Sequence, residues 1–167
     1  MKKTFLFLIL FGMVITAQEK NKLISDQRSG KTILIGFCDR KAFADTNFAW
    51  WYDSEYQNYE IDKGVVDSIN SKLDNLSITI VMATWCSDSR REVPRFFRIL
   101  DELNYDTDNL KMICVDRKKE SPEGNVQSMD IKFVPTFIFN RGGTEIGRII
   151  ETPKISLERD LKEIVYR

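Results

Sequence analysis

The chain has 167 residues, with 25 basic and 25 acidic side chains and no histidine. Without imidazole there is no Ser-His or Cys-His nucleophile pair and no histidine metal ligand. The balanced charge offers no broad basic surface for nucleic acid or anionic lipid. The three cysteines, Cys38, Cys86 and Cys114, are too few and too far apart for a structural zinc site or a disulfide framework, and no C-x-x-C occurs. Nothing calls for a metal or a cofactor.

The first residues read as a leader rather than as fold. Lys2 and Lys3 precede an apolar run over residues 5–15, broken only by Gly12; Thr16 and Ala17 are small, and polar sequence begins at Gln18. That order is a secretory signal peptide over residues 1–17, cut after Ala17. The run is short of the ~20 apolar residues that span a bilayer, so no stable membrane insertion is expected after cleavage. Residues 18–167 then form one domain, with 18–60 as an N-terminal extension and 61–167 as the core. Loss of Lys2 and Lys3 leaves two more acidic than basic residues. The expected location is periplasmic or secreted. There an odd cysteine reads as a free thiol or an intermolecular partner.

In chain order, residues 18–31 are a polar lead-in and 32–37 a strand rich in β-branched residues. Asp39 and Thr46 are candidate caps. Residues 48–59 hold Phe48, Trp50, Trp51, Tyr52, Tyr56 and Tyr59. These rings suit a binding platform or, the better reading, padding for a small core. Residues 62–76 show helical spacing of Val65, Val66, Ile69 and Leu73, and 77–83 read as a strand buried on both sides. A helix follows Cys86, with Val93, Phe96, Phe97, Leu100 and Leu103 on one face. Residues 110–115 are a strand and 120–129 a weak helix or loop. Residues 135–140 and 145–150 form a hairpin about Gly142-Gly143. A last helix starts with Thr152 as cap and Pro153 at its first position. The β-α-β-α-β order calls for parallel strands under helices, and the hairpin makes the sheet mixed. The fold class is α/β.

Cys86 falls between a buried strand and a helix start, where open α/β sheets place their sites. Backbone N–H groups and the helix dipole favour a thiolate there, Arg90 and Arg91 reinforce that, and Asp88 opposes it. Cys114, inside an apolar strand, reads as a core residue. Cys38 ends the first strand. A Cys38–Cys114 disulfide is open, since the two strands can be neighbours.

Trp85-Cys86-Ser87-Asp88-Ser89 resembles the W-C-x-x-C motif of the thioredoxin family. Pro94, eight residues on, sits where that family has a helix-kinking proline, Asp116 follows the third strand, and Val134-Pro135-Thr136 matches its cis-proline signature. The resemblance covers about the last 90 residues. W-C-x-D-S followed by R-E-V-P-R is closer still to an exported branch of the family in Gram-negative bacteria. It implies a thioredoxin-like fold, a mixed sheet flanked by helices with a helical, aromatic N-terminal extension. It also implies protein or peptide thiols and disulfides as partners, a substrate groove at Trp85, Val134 and Pro135, and Cys86 and Ser89 as catalytic positions, supported by Asp88, Arg90 and Arg91. Two departures stand out. Ser89 occupies the resolving-cysteine position, and Ile80 replaces a buried acid. The expectation is monothiol exchange through Cys86, with Ser89 bonded to the sulfur. The other reading is a redox-inactive binding module that uses the same groove.

Overall fold

The structure is a computed structural model that describes residues 19–167. The expected leader and its cut after Ala17 lie outside the described residues. The polar lead-in is not loose: Lys22–Ser25 (β1) is a strand. It pairs antiparallel with Thr32–Cys38 (β2), from Lys22 opposite Ile35 to Ser25 opposite Thr32. The turn between them closes on Asp26, whose carboxylate accepts from the Ser29 hydroxyl and the Arg28 N–H.

Asp39 caps a 3-10 helix over Arg40–Ala44 by accepting from the Lys41 N–H. Thr46 caps nothing; Ala49–Asn58 (α1) starts at Phe48 without a side-chain cap. The expected helix over 62–76 shortens to Lys63–Ile69 (α2) and a 3-10 turn. Leu76–Met82 (β3) follows, with Ser77 and Thr79 reaching solvent, so only its upper half is buried on both faces. Ser87–Glu102 (α3) carries Pro94 inside it. Leu110–Cys114 (β4) leads into a long loop whose only helical turn is Val126–Met129. Thr136–Arg141 (β5) and Thr144–Ile150 (β6) form the expected hairpin, with Gly142 and Gly143 both at positive φ in its turn.

Leu157–Val165 (α4) begins later than expected. Its cap is Ser156, which accepts from the Arg159 N–H, rather than Thr152. Asp160 explains the delay: its two oxygens accept from the Lys154 and Ile155 N–H groups, holding that stretch outside the helix. Ile155 is accordingly 70% exposed instead of buried.

The six strands lie in the order β1-β2-β4-β3-β5-β6. Here the all-parallel expectation for the first three strands fails. β3 and β4 are parallel, but β2 runs antiparallel to β4, with Gly36 opposite Cys114 and Cys38 opposite Met112. A reversed β2 needs no crossover over the sheet. It ends where β3 begins, so α1 and α2 join α3 and α4 against one face. There they close a core built on Phe43, Phe48, Trp51, Phe96, Phe97, Phe137 and Phe139. Phe96 lies 4.6 Å from Phe137. Most of the aromatic segment is therefore padding: Phe48, Trp51 and Tyr52 are buried, while Trp50 is 66% exposed. The opposite face, Val81, Ala83, Ile113 and Val115, is covered by the loop after β4 through Val126 and Val134. That loop also presses Glu123 onto Gly36, where φ is +83° and a Cβ would collide with the carboxylate.

Candidate active site around Cys86

β3 delivers Trp85 and Cys86 to the carboxyl end of the sheet. The run is apolar through Ala83, so the strand stays buried until polar residues start the next helix. Cys86 is the N-cap of α3, with extended φ and ψ. Its N–H donates to the Ala83 carbonyl at 3.0 Å, and its carbonyl accepts from the Arg90 N–H at 3.1 Å. Its side chain is half-buried, and the free N–H groups of the first helical turn lie beside it. The Cys86 thiol donates to the Val134 carbonyl at 3.2 Å. The Val134–Pro135 peptide is cis. Residues 48 positions apart thus meet, and Trp85, Cys86 and Val134 share one cluster, with Pro135 next in the chain.

Ser89 does not behave as expected. It is fully buried, and its Oγ accepts from the Ala83 N–H at 3.2 Å rather than bonding the sulfur. It ties the first turn of α3 back to the end of β3. Asp88 and Arg91 pair with each other at 2.8 Å, and Arg91 also holds the buried Glu92 at 2.6 Å. Those two carboxylates, Glu92 first, raise the Arg91 pKa and occupy its charge. Arg91 is therefore a brace on α3 rather than a source of field at the sulfur. Arg90 is the cation that remains. Its Nε donates to the Thr84 carbonyl at 2.5 Å. Burial lowers its pKa.

One site neighbour carried no sequence signal. Arg117, three residues beyond β4, lies over the Trp85 ring, 4.8 Å from its centroid. Phe133, which precedes Val134 in the chain, is half exposed. The Trp85 Nε1–H donates to the Val115 carbonyl at 3.1 Å, fixing the indole edge.

Cys38 and Cys114 are placed elsewhere. Both are buried and unpaired. Cys114 lies level with Met82 in β3, and Cys38 is opposite Met112, itself level with Ile80. Both thus sit well down the sheet from Cys86, on the helix-covered face. Burial, and then the neighbouring Cys38, push the Cys114 thiol pKa well up. Among the described residues no cluster of acids and cysteines is arranged to hold a metal ion. A surface cleft of about 690 Å³ lies between residues 73–77, 103–106 and 141–143, at the far end of β3 from Cys86, and is lined by no cysteine.

Residues 46–162 match the thioredoxin family model. The chain belongs to the thioredoxin family. Among curated relatives it is 31% identical over 83 residues to thioredoxin H9 of Arabidopsis thaliana, covering 50% of this chain and 55% of that protein. It is 25% identical over 96 residues to a thioredoxin-like protein of Acanthamoeba polyphaga mimivirus, covering 58% and 67%. Among solved structures, Fasciola hepatica thioredoxin aligns with a TM-score of 0.39 at 22% identity, over 60% of this chain and 88% of that one. The mixed sheet flanked by helices is the thioredoxin-like α/β fold expected of the family whose model the chain matches. Proteins of the thioredoxin family act on protein thiols and disulfides.

Proposed function

We propose that this thioredoxin-family protein carries out monothiol thiol–disulfide exchange through Cys86, on protein or peptide substrates, outside the cytoplasm. One observation carries the reading: of three cysteines, Cys86 alone is partly exposed, at a helix start, while Cys38 and Cys114 are buried at other levels of the sheet. In the reaction the Cys86 thiolate attacks one sulfur of a substrate disulfide. An S–S bond forms to Cys86, the substrate S–S bond breaks, and the second substrate sulfur leaves as a thiolate. Ser89 cannot resolve this mixed disulfide. A thiolate of the substrate itself attacks the substrate sulfur of this bond, which forms a new substrate disulfide, expels the Cys86 thiolate and gives isomerisation. For reduction, one small external thiol attacks the Cys86 sulfur and expels the reduced substrate. A second attacks the resulting Cys86–small-thiol disulfide, which frees the Cys86 thiolate and leaves the two small thiols joined as a disulfide. Trp85 and the Val134–Pro135 segment form the wall along which the substrate chain lies. Export rests on Lys2-Lys3, the apolar run and Ala17, with Gln18 as the first mature residue. N-terminal sequencing of exported protein checks that, and an intact Met1 in a membrane fraction would refute it.

A second reading has its own support. The fully buried Ile80 is apolar where a proton-transferring acid would stand, and the Ser89 hydroxyl is used by the Ala83 N–H. That suits a binding module without turnover. Intact mass after incubation with a disulfide-bonded peptide separates the two. Exchange predicts one peptide adduct, at Cys86, lost in Cys86→Ala. Peptide bound without any adduct supports the binding module, and adducts on Cys38 or Cys114 would overturn the exchange reading.

A further inference from the structure

Residues 22–38 lie outside the segment that matches the family, yet their turn sits at the same end of the sheet as Cys86. Asp26 in that turn is only 4% exposed, and it meets Arg117, 91 residues away. Arg117 Nε lies 3.0 Å from both Asp26 oxygens, and its NH2 nitrogen is 2.7 Å from Oδ2. This is the two-pronged geometry by which a guanidinium is held most rigidly by a carboxylate. The face of the same guanidinium rests on Trp85, whose other anchor is the Val115 carbonyl. The chain of contacts therefore runs from the hairpin turn through Arg117 to the ring next to Cys86.

We propose that Arg117, held by Asp26, is a positioning residue for the Cys86 site, so that the β1–β2 hairpin forms part of it. The pair does two things at once. It clamps the Trp85 indole that walls the thiol. It also places at the site a positive charge that Asp26 largely neutralises. This inference rests on the exchange reading only for its consequence in catalysis; the clamp itself is independent of it.

The test uses the protein with fluorotryptophan in place of its three tryptophans, the Trp85 signal being assigned with Trp85→Phe. Three variants, Asp26→Asn, Arg117→Gln and Arg117→Lys, are compared by fluorine NMR and by the rate of Cys86 alkylation at neutral pH. The Trp85 signal should move in all three, while those of Trp50 and Trp51 stay in place. Alkylation should change in opposite directions: about threefold slower in Arg117→Gln, which removes a cation, and about threefold faster in Asp26→Asn, which unmasks one. Arg117→Lys should restore the rate but not the Trp85 signal, because an ammonium keeps the charge without the planar fork. A stationary Trp85 signal in folded variants would overturn the proposal. So would alkylation rates that all match wild type or all shift in one direction, the mark of a merely structural contact. If wild-type Cys86 forms no mixed disulfide, the exchange reading fails while a displaced Trp85 signal still establishes the clamp.

Discussion

One face of the sheet is closed by four helices and a nearly continuous set of buried rings; the other is closed by a single loop, residues 116–135, with three non-glycine residues at positive φ, Lys119, Asn125 and Asp130. The first face has the bulk that holds the fold together. The second carries Trp85, Cys86 and Val134, on backbone with little regular structure of its own. Stability and chemistry are thus largely assigned to opposite sides of the same strands, and each can be perturbed separately.

The largest effect should come from the helix face. Phe96 is fully buried against Phe137 and Phe139. Phe96→Ala should cost about 3–5 kcal/mol in denaturant unfolding, since the rings around it cannot close the cavity. The Cys86 alkylation rate of the folded variant should stay close to wild type. Val126→Ala in the loop should cost less, about 1.5–2 kcal/mol from the methyl groups removed. It should alter Cys86 alkylation more, because Val126 packs into the cluster that contains Trp85 and Cys86. Reversal of that pattern would erase the division between the faces.

Acid unfolding sharpens the comparison at the hairpin. Arg117 first, and then Ser29, hold the Asp26 carboxyl well below the usual aspartate value. A carboxylate with a depressed folded pKa adds stability that is full above its unfolded value, about 3.9, and fades as pH falls below it. Asp26→Asn should therefore lower stability at neutral pH and flatten the loss between about pH 4 and pH 2. Water reaches Arg117, whose side chain is 31% exposed, so the effect should be modest and should shrink with added salt. An acid limb identical to wild type would contradict the pairing. The smallest effect belongs to Trp50. Trp50→Ala should change stability by no more than about 0.5 kcal/mol, as for other exposed sites. A larger change, or lost peptide binding, would revive the platform reading for that ring.

Much of this was legible in the sequence where a local pattern carried it. Apolar runs and helical spacing marked β3, α3, β4 and the β5–β6 hairpin. The Trp85-Cys86 and Val134-Pro135 motifs named the two segments that meet at the site. The direction of β2 was not legible, because a continuous apolar strand reads the same whichever way it pairs. β1 was missed because an edge strand with exposed Lys22 and Leu23 has no buried face to reveal it. The start of α4 depended on Asp160 catching the Lys154 and Ile155 N–H groups, a contact that spacing does not announce. Asp26 and Arg117 are 91 residues apart in unremarkable polar sequence, so only the folded chain joins them.

Ser89→Cys tests the monothiol reading most directly. Ser89 and Cys86 are three residues apart at one helix start, on one side of the helix, close enough for a disulfide of normal geometry. With an insulin-type disulfide substrate and a small dithiol, the wild type should show little catalysed reduction. Ser89→Cys should show clearly more, because the new thiol attacks the Cys86 mixed disulfide intramolecularly. Its gain should stay limited, since buried Ile80 offers no acid to pass a proton. A wild type that already turns over as fast as Ser89→Cys would mean that another thiol resolves the intermediate, and the monothiol account of Cys86 would be contradicted.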